Sequence, residues 1–136
     1  MAISKVSLTM PMLDHVGIVV SDYDRAKAFY TPVLATLGSS MQMEPATGVS
    51  GWGPGPMEPC FWISAKGVVV GPAHVAFSAK NRAEVNAFYE AAIKAGAKCN
   101  GEPGIRAEYH SNYYGAFVID ADGHNIEAGA RLKRRR

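Results

Sequence analysis

The chain contains one strand-and-helix unit written twice, with the two copies 59 residues apart. The first copy reads HVGIVVSDYDRAKAFY from His15, and the second reads HVAFSAKNRAEVNAFY from His74. Both copies keep a histidine before an apolar stretch and an Ala-Phe-Tyr triplet at the same distance from it. A repeat of this length predicts a fold made of two similar halves, which excludes most other architectures.

Each copy has the pattern of a β-strand followed by an amphipathic helix. The opening segments are short, apolar and suited to strands. Apolar residues then recur at steps of three and four, as in a helix with one buried face. Pro32 predicts a kink or break in the first helix, and Asn81 and Gly96 are predicted to cap the second. The residues with helical spacing are Ala26, Phe29, Tyr30, Val33, Leu34 and Leu37, and then Val85, Phe88, Tyr89, Ala92 and Ile93.

Short strands are predicted after each helix. In the first half SSMQME and CFWISA have strand-like sequences, and the Gly- and Pro-rich region 48–59 between them is predicted to be a functional loop. In the second half the candidates are AKCNGE, YYGAFVID and HNIEAG. Asp122-Gly123 predicts a hairpin between the last two, with His124 facing water. Each half is therefore read as βαβββ, and the predicted fold class is α+β with helices outside one sheet system.

Length and charge restrict the classes of function. A chain of 136 residues is long enough for one domain with its own core. The net charge of +2 depends on the C-terminal RLKRRR; without it, 9 Lys and Arg oppose 12 Asp and Glu. We therefore treat residues 132–136 as a basic tail and expect no nucleic-acid binding. No secretory or membrane segment is recognisable, and Cys60 and Cys99 suit free thiols, so the predicted location is the cytoplasm.

Three polar side chains are predicted to share the sheet face opposite the helices. Because side chains alternate along a strand, the apolar positions of each opening strand should face its helix, which leaves His15 and His74 on the other face. In HNIEAG the same alternation places Glu127 opposite the apolar pair. Two imidazoles and a carboxylate beside small residues can hold a divalent metal ion with positions open for a substrate. The alternative for each histidine is an ordinary structural role.

A second group of candidates lies in YHSNYYG. His110 and Tyr114 are candidate acid/base groups in catalysis. Tyr109 and Tyr113 are candidates for the walls of a substrate pocket. The alternatives are a surface histidine and half-buried aromatic residues without a chemical role.

The chain resembles the vicinal oxygen chelate superfamily, which includes glyoxalase I, fosfomycin and bleomycin resistance proteins, and extradiol dioxygenases. The resemblance rests on the paired βαβββ halves, on LDHVGIVVSDYDRAKAFY near the start and on DADGHNIE near the end. It implies modules at about residues 12–66 and 72–130 in one domain, 1–131, with a curved mixed sheet around a concave metal site.

The resemblance also implies a site. Its metal ligands would be His15, His74 and Glu127, and the ion would be a divalent Fe, Mn, Ni or Zn. The ion would chelate neighbouring oxygen atoms of a small-molecule substrate. Members of the superfamily commonly form homodimers, sometimes with modules exchanged between chains, so a homodimer is expected.

Two departures separate the chain from particular members. Glyoxalase I enzymes have a fourth ligand, a glutamate, where this chain has Phe61 or Trp62; Trp62 is therefore predicted to form the floor of a pocket for a flat or apolar substrate. Extradiol dioxygenases have a tyrosine on the strand before the glutamate, where this chain has Phe117. His110 matches their acid/base histidine only approximately.

The sequence therefore predicts a metal-dependent enzyme, either a glyoxalase-like lyase or isomerase or a dioxygenase. One alternative is a protein that sequesters a small molecule, as bleomycin resistance proteins do. Another is a metal-free ferredoxin-like domain, in which the two histidines are coincidental.

Overall fold

The two halves of the chain form two four-stranded sheets. The computed structural model describes residues 11–131. The elements of the first half are β1 (Val16–Val19), α1 (Tyr23–Ala35), β2 (Ser40–Ala46), β3 (Val49–Gly53) and β4 (Phe61–Ser64). Those of the second half are β5 (His74–Ser78), α2 (Arg82–Lys94), β6 (Lys98–Ile105), β7 (Tyr113–Ile119) and β8 (Asn125–Arg131).

Both sheets have the same topology, as the sequence repeat predicts. The strand orders are β1-β4-β3-β2 and β5-β8-β7-β6. In each half the opening strand is an edge strand that pairs in parallel with the last strand, and the other pairs are antiparallel. The α+β class is confirmed. Three strands after each helix exclude the ferredoxin-like alternative, whose strand order is different.

Helix α1 has a capped start and continues past its proline. The Asp22 side chain accepts a hydrogen bond from the Arg25 backbone N–H at 3.0 Å, which satisfies one of the donors left free at a helix N-terminus. The helix then continues through Pro32 to Ala35, so of the predicted kink or break, the break is wrong. Burial of the turn around Pro32 against the core offsets the hydrogen bond that proline cannot donate.

Helix α2 has the predicted caps. Asn81 accepts a hydrogen bond from the Glu84 backbone N–H at 2.9 Å, and the Glu84 side chain accepts one from the Lys80 backbone N–H at 2.9 Å. Beyond the helix end, Gly96 has φ +103°. This conformation costs glycine little because it has no Cβ.

Strand β3 lies inside the region that was expected to be a loop. The sequence gives no clear signal for β3, because Gly51 and Gly53 have no side chains that could show the alternation of a strand. The structure requires both glycines: a Cβ at Gly51 would lie 2.8 Å from the Trp62 indole, and one at Gly53 would overlap the Glu58 carbonyl. Only the remainder of the region, before β4, is irregular.

The helices cover one face of each sheet, and we call the opposite faces the open faces. Helix residues and alternate strand residues form a joint buried cluster. As the alternation predicts, Ile18 and Ile126 are buried, whereas His74 and Ser78 are exposed. Neither α1 nor α2, the helices of residues 11–131, is long and apolar enough to cross a membrane.

The turn between β7 and β8 connects the two halves. Asp120 is buried and accepts a hydrogen bond from the Tyr30 hydroxyl at 2.7 Å. Asp122 accepts hydrogen bonds from the Ser21 backbone N–H at 3.1 Å and from the Ser21 hydroxyl at 2.6 Å. The predicted hairpin is present, and its carboxylates bind the first half of the chain.

The expectation that His124 faces water is wrong, because this residue is only 3% exposed. Its Nδ1 accepts a hydrogen bond from the Ala73 backbone N–H at 2.9 Å. The proton of the neutral ring is therefore on Nε2, which donates to the Val19 carbonyl at 2.9 Å. His124 joins the start of β8 to the end of β1.

Candidate functional site

Glu127 is the centre of a hydrogen-bonded group on the open face of the second sheet. The residue is only 4% exposed. Its Oε1 lies 2.9 Å from His74 Nε2, and its Oε2 accepts a hydrogen bond from the Tyr113 hydroxyl. Because a carboxylate can only accept, both neighbours donate to it. The group joins three neighbouring strands, β5, β8 and β7.

Small residues provide the space for this arrangement. Ala76 lies beside Glu127 in the register of β5 and β8, and Gly115 lies opposite Gly129 in β7 and β8. A Cβ at Gly129 would overlap the Tyr113 hydroxyl, and one at Gly115 would lie 3.0 Å from the Tyr113 ring. The tyrosine therefore lies across these glycines and reaches the carboxylate.

The surroundings of Tyr113 keep its hydroxyl protonated at neutral pH. Burial raises the pKa of Tyr113 well above its usual value, and the hydrogen bond to Glu127 adds to the increase. The charge of Arg131 opposes this shift. A phenol that keeps its proton remains a donor, so it can hold the orientation of the Glu127 carboxylate.

His15 lies in a different pocket, on the open face of the first sheet. Its Nδ1 lies 2.8 Å from Asp14 Oδ1, and its side chain is 59% exposed. Trp62 forms the floor of this pocket and is paired with Gly17 on one side and Gly51 on the other. The pocket has a volume of about 580 Å³ and is lined by Pro11, Asp14, His15, Pro54, Met57, Glu58, Pro59, Cys60 and Trp62.

The structure brings together two of the three predicted metal ligands, His74 and Glu127. Donors bound to one ion at about 2.1 Å and at right angles lie about 3 Å apart, so the 2.9 Å separation fits two neighbouring ligands. Tyr113 supports the carboxylate, as hydrogen bonds to metal-binding carboxylates commonly do. Within residues 11–131, no group of three or more His, Cys, Asp or Glu side chains is arranged to hold a metal ion. One chain therefore supplies a pair of donors, and His15 lies apart from them.

Tyr109 contacts Tyr113 of this group, and His110 lies in the loop that precedes Tyr113. The Tyr109 ring packs edge to face on Tyr113, with 5.8 Å between ring centres, and Tyr109 is 61% exposed. His110 is exposed, and its Nδ1 accepts a hydrogen bond from the Asn112 backbone N–H at 3.1 Å. Both side chains are exposed to solvent.

Tyr114 is separated from the site by the sheet. Its hydroxyl donates to Asn86 Oδ1 on α2 at 2.7 Å, and the guanidinium of Arg82 lies over its ring. Neighbouring residues of a strand face opposite ways. Because Tyr113 is on the open face, Tyr114 is on the helix side, away from Glu127.

The Tyr113 hydroxyl lies beside Glu127, on the strand where the sequence indicated only Phe117 as a neighbour of the glutamate. Phe117 is the register partner of Glu127, but Tyr113, four residues earlier on the same face, reaches back to it. The two-residue period of β7 and the glycine at position 115 were the available signals. They indicate which side chains share a face, but not how far a long one reaches.

The chain matches a known protein family in sequence and solved structures in fold. A family model described as the Glyoxalase/Bleomycin resistance protein/Dioxygenase superfamily matches residues 12–128. A comparison with curated proteins found no match.

Several solved structures are similar. A glyoxalase/bleomycin resistance protein from Albidiferax ferrireducens T118 is 27% identical with a TM-score of 0.77, over 89% of this chain and 100% of that chain. A glyoxalase/bleomycin resistance protein/dioxygenase family enzyme from Burkholderia phytofirmans PsJN is 17% identical with a TM-score of 0.65, over 88% and 98%. TioX from Micromonospora sp. ML1 is 15% identical with a TM-score of 0.64, over 90% and 100%. The last two similarities show the fold alone.

Proposed function

The chain belongs to the glyoxalase/bleomycin resistance protein/dioxygenase superfamily, and from this premise we propose that it is a divalent-metal-dependent enzyme that binds neighbouring oxygen atoms of a small substrate. The reaction class is that of a glyoxalase-like lyase or isomerase, or of an extradiol-type dioxygenase. The observation that carries the proposal is the group formed by His74, Glu127 and Tyr113 on an open sheet face with glycines around it.

In this proposal His74 and Glu127 hold the ion together with His15. A bound Fe, Mn, Ni or Zn ion supplies Lewis-acid polarisation of substrate oxygen atoms. Tyr113 holds the Glu127 carboxylate so that Oε1 stays directed at His74. Because Tyr113 lies flat across Gly115 and Gly129, a shallow surface remains above its ring, on which a substrate can lie.

Three further residues have proposed roles in binding and proton transfer. Tyr109 is exposed beside Tyr113 and can contact the substrate. His110 is the candidate for moving a proton to or from it. Trp62 offers a flat aromatic surface in the pocket that contains His15.

A second copy of the chain is proposed to complete the site. His15 of one copy would approach His74 and Glu127 of the other, because within one chain His15 lies in the Trp62 pocket. A two-fold symmetric pair exchanges such contributions equally and therefore contains two equivalent sites. The proposed active form is thus a homodimer in which the first sheet of each copy faces the second sheet of its partner.

Metal content tests this proposal. Protein incubated with Fe, Mn, Ni or Zn and then desalted is expected to keep about one ion per chain in elemental analysis. His74→Ala and Glu127→Gln should each lower metal affinity at least about tenfold, because each removes or weakens a ligand. His110→Ala is the matched control and should retain the ion, and circular dichroism should show an unchanged fold in all three variants.

Mixing two variants tests whether the site is shared. When His15→Ala and His74→Ala proteins are dissociated and reassociated together, a two-fold dimer regains all ligands at roughly one site in four. A site built within one chain would regain none. Wild-type protein that retains none of the four metals would contradict metal-dependent function.

A second candidate function is the sequestration of a small molecule, as the bleomycin resistance members of the superfamily name suggest. The observation that favours it is the open pocket of about 580 Å³ with Trp62 as its floor, which suits a flat ligand without any chemistry. A sequestering protein would bind its ligand equally well with and without metal, and this outcome separates the two functions.

A further inference from the structure

Arg131, at the edge of the proposed site, is a cation whose side chain has no ion-pair or hydrogen-bond partner within residues 11–131. It is the register partner of Tyr113 across β7 and β8. Its guanidinium carbon lies 5.5 Å from the centre of the Tyr113 ring. Among the described residues, 11–131, no ion pair includes it. The ring therefore positions this guanidinium, while its hydrogen-bond donors remain available to a ligand.

Arg131 is one wall of a pocket of about 370 Å³ on the open face of the second sheet. Ala76, Ser78 and Gly129 also line the pocket, together with Tyr113, whose hydroxyl end lies over Gly129. Of the described residues that line this pocket, none is Asp or Glu, and Arg131 carries the formal charge. The Glu127 carboxylate lies beside Ala76, but its two oxygens are bonded to His74 and Tyr113, so Arg131 is the charge available to a ligand and favours an anion.

We propose that this pocket binds the oxyanion of the substrate, a carboxylate or phosphate group, through Arg131 and the Ser78 hydroxyl. The inference rests on the proposed function, because it names the substrate class of the same site: a small organic acid. The guanidinium fork matches two oxygens of a carboxylate or phosphate. The Ser78 hydroxyl can donate to one of the same oxygens.

Tyr113 connects the oxyanion pocket to Glu127. Its ring supports the Arg131 guanidinium, and its hydroxyl donates to Glu127 Oε2. One side chain thus sets the relative positions of the cation and of the proposed metal ligand. An acid held by Arg131 would have the rest of its length directed along β8 toward Glu127.

The spacing along β8 sets the minimum size of this acid. Arg131 and Glu127 are four residues apart on one face, so their Cα atoms are about 13 Å apart at roughly 3.3 Å per residue. The Arg131 side chain folds over Tyr113 and covers part of this distance. The oxyanion must still be several bonds from the oxygens that meet the metal. In a short 2-keto acid, one carboxylate would have to reach both Arg131 and the metal ion. Such an acid therefore does not fit.

Binding of simple aromatic acids to the metal-free protein tests the inference. Protein treated with a chelating resin is titrated with benzoate, phenylphosphonate and neutral benzamide while backbone amide resonances are followed by NMR. Benzoate and phenylphosphonate should shift the Ser78 and Gly129 resonances in a saturable way, and benzamide should not. The ratio of the two acid affinities distinguishes a carboxylate from a phosphate ligand.

The variants separate the role of Arg131 from a general effect of charge. Arg131→Gln should weaken benzoate binding about fivefold to tenfold, because a charge-assisted hydrogen-bonded contact is lost, and Arg131→Lys should have an intermediate effect. Arg82→Gln is the matched control: Arg82 also lies over a tyrosine, 4.9 Å from the Tyr114 ring centre, but on the helix side. It should bind benzoate as the wild type does.

Three results would overturn the inference: equal binding of benzamide and benzoate, unchanged affinity in Arg131→Gln, or resonance shifts confined to other strands. The amide spectrum of each variant verifies that it is folded. Metal retention is measured separately, so benzoate binding by a protein that keeps no metal would leave the anion pocket standing and refute only the metal-dependent function.

Discussion

At the scale of single residues, glycines decide where the aromatic side chains of the open faces can lie. Tyr113 lies over Gly129 and Trp62 lies over Gly51, and in each case a Cβ would collide with the aromatic side chain. Because the rings lie along the sheet, they contact backbone and leave space above themselves. The same feature brings the Tyr113 hydroxyl to Glu127.

Gly129→Ala should lower the free energy of unfolding by about 1–3 kcal/mol, because the new methyl group must displace Tyr113. In a Tyr113→Ala background the same substitution should be neutral or stabilising, since glycine inside a strand costs about 0.5–1 kcal/mol relative to alanine. Urea unfolding followed by fluorescence measures both effects. Gly104→Ala is the control, because the nearest atom to its Cβ would be 3.9 Å away. If Gly129→Ala lowered the free energy of unfolding equally in the two backgrounds, a clash with Tyr113 would not be its cause.

At the scale of elements, the turn between β7 and β8 is the main polar contact between the two halves. His124 bonds to Val19 over a sequence separation of 105 residues, and Asp122 bonds to Ser21 over 101 residues. A hairpin turn on the surface would leave these polar groups to water. Here the His124 and Asp122 side chains bond to the backbone of Val19 and Ser21, which follow one another closely at the end of β1. The turn therefore also orients one sheet against the other.

His124→Ala should reduce the free energy of unfolding by about 1–3 kcal/mol, because the Ala73 N–H and the Val19 carbonyl lose their partner. His110→Ala should change it by less than about 0.5 kcal/mol, because this exposed histidine is bonded only within its own loop in the described chain. Chemical denaturation of both variants at one pH gives the comparison. Similar stabilities of the two variants would be inconsistent with a bridge between the halves.

At the scale of the whole molecule, the two halves have diverged where they meet. Tyr30 and Tyr89 occupy equivalent positions of the repeat, but Tyr30 is buried with its hydroxyl on the Asp120 carboxylate of the other half. Burial raises the pKa of Tyr30 well above its usual value, and Asp120 increases it further. The contact between the halves is therefore linked to pH in the alkaline range.

Stability is expected to fall as the pH rises above about 10, the pKa of an unfolded tyrosine. The folded state keeps the Tyr30 proton while the unfolded state releases it, so the free energy of unfolding decreases by about 1.4 kcal/mol per pH unit from this residue. Below about pH 10 both states keep the proton, so the stabilising contribution of Tyr30 is fully present. In the Tyr30→Phe variant, the free energy of unfolding should decrease less between pH 8 and 10.5 than in the wild type. Urea unfolding measures this difference. Tyr109→Phe, at an exposed position, should leave it unchanged, and an identical decrease in both variants would contradict the assignment.

Much of the fold could be predicted because its signals are local. The 59-residue repeat, the strand and helix periods and the caps of α2 each depend on residues close in sequence. Strand β3 was missed because glycines carry no periodic signal. The effect of Pro32 on α1 was overestimated, because packing around that turn of the helix offsets one missing hydrogen bond.

The sequence by itself determined the duplicated α+β architecture and the common face of His74 and Glu127, because alternation along a strand needs no knowledge of the rest of the chain. Only the tertiary structure decided that Tyr113 reaches Glu127, that His124 is buried, and that His15 lies in a pocket of its own. These outcomes depend on which glycines give space and on how two separate sheets pack. Neither is encoded in the period of a single element.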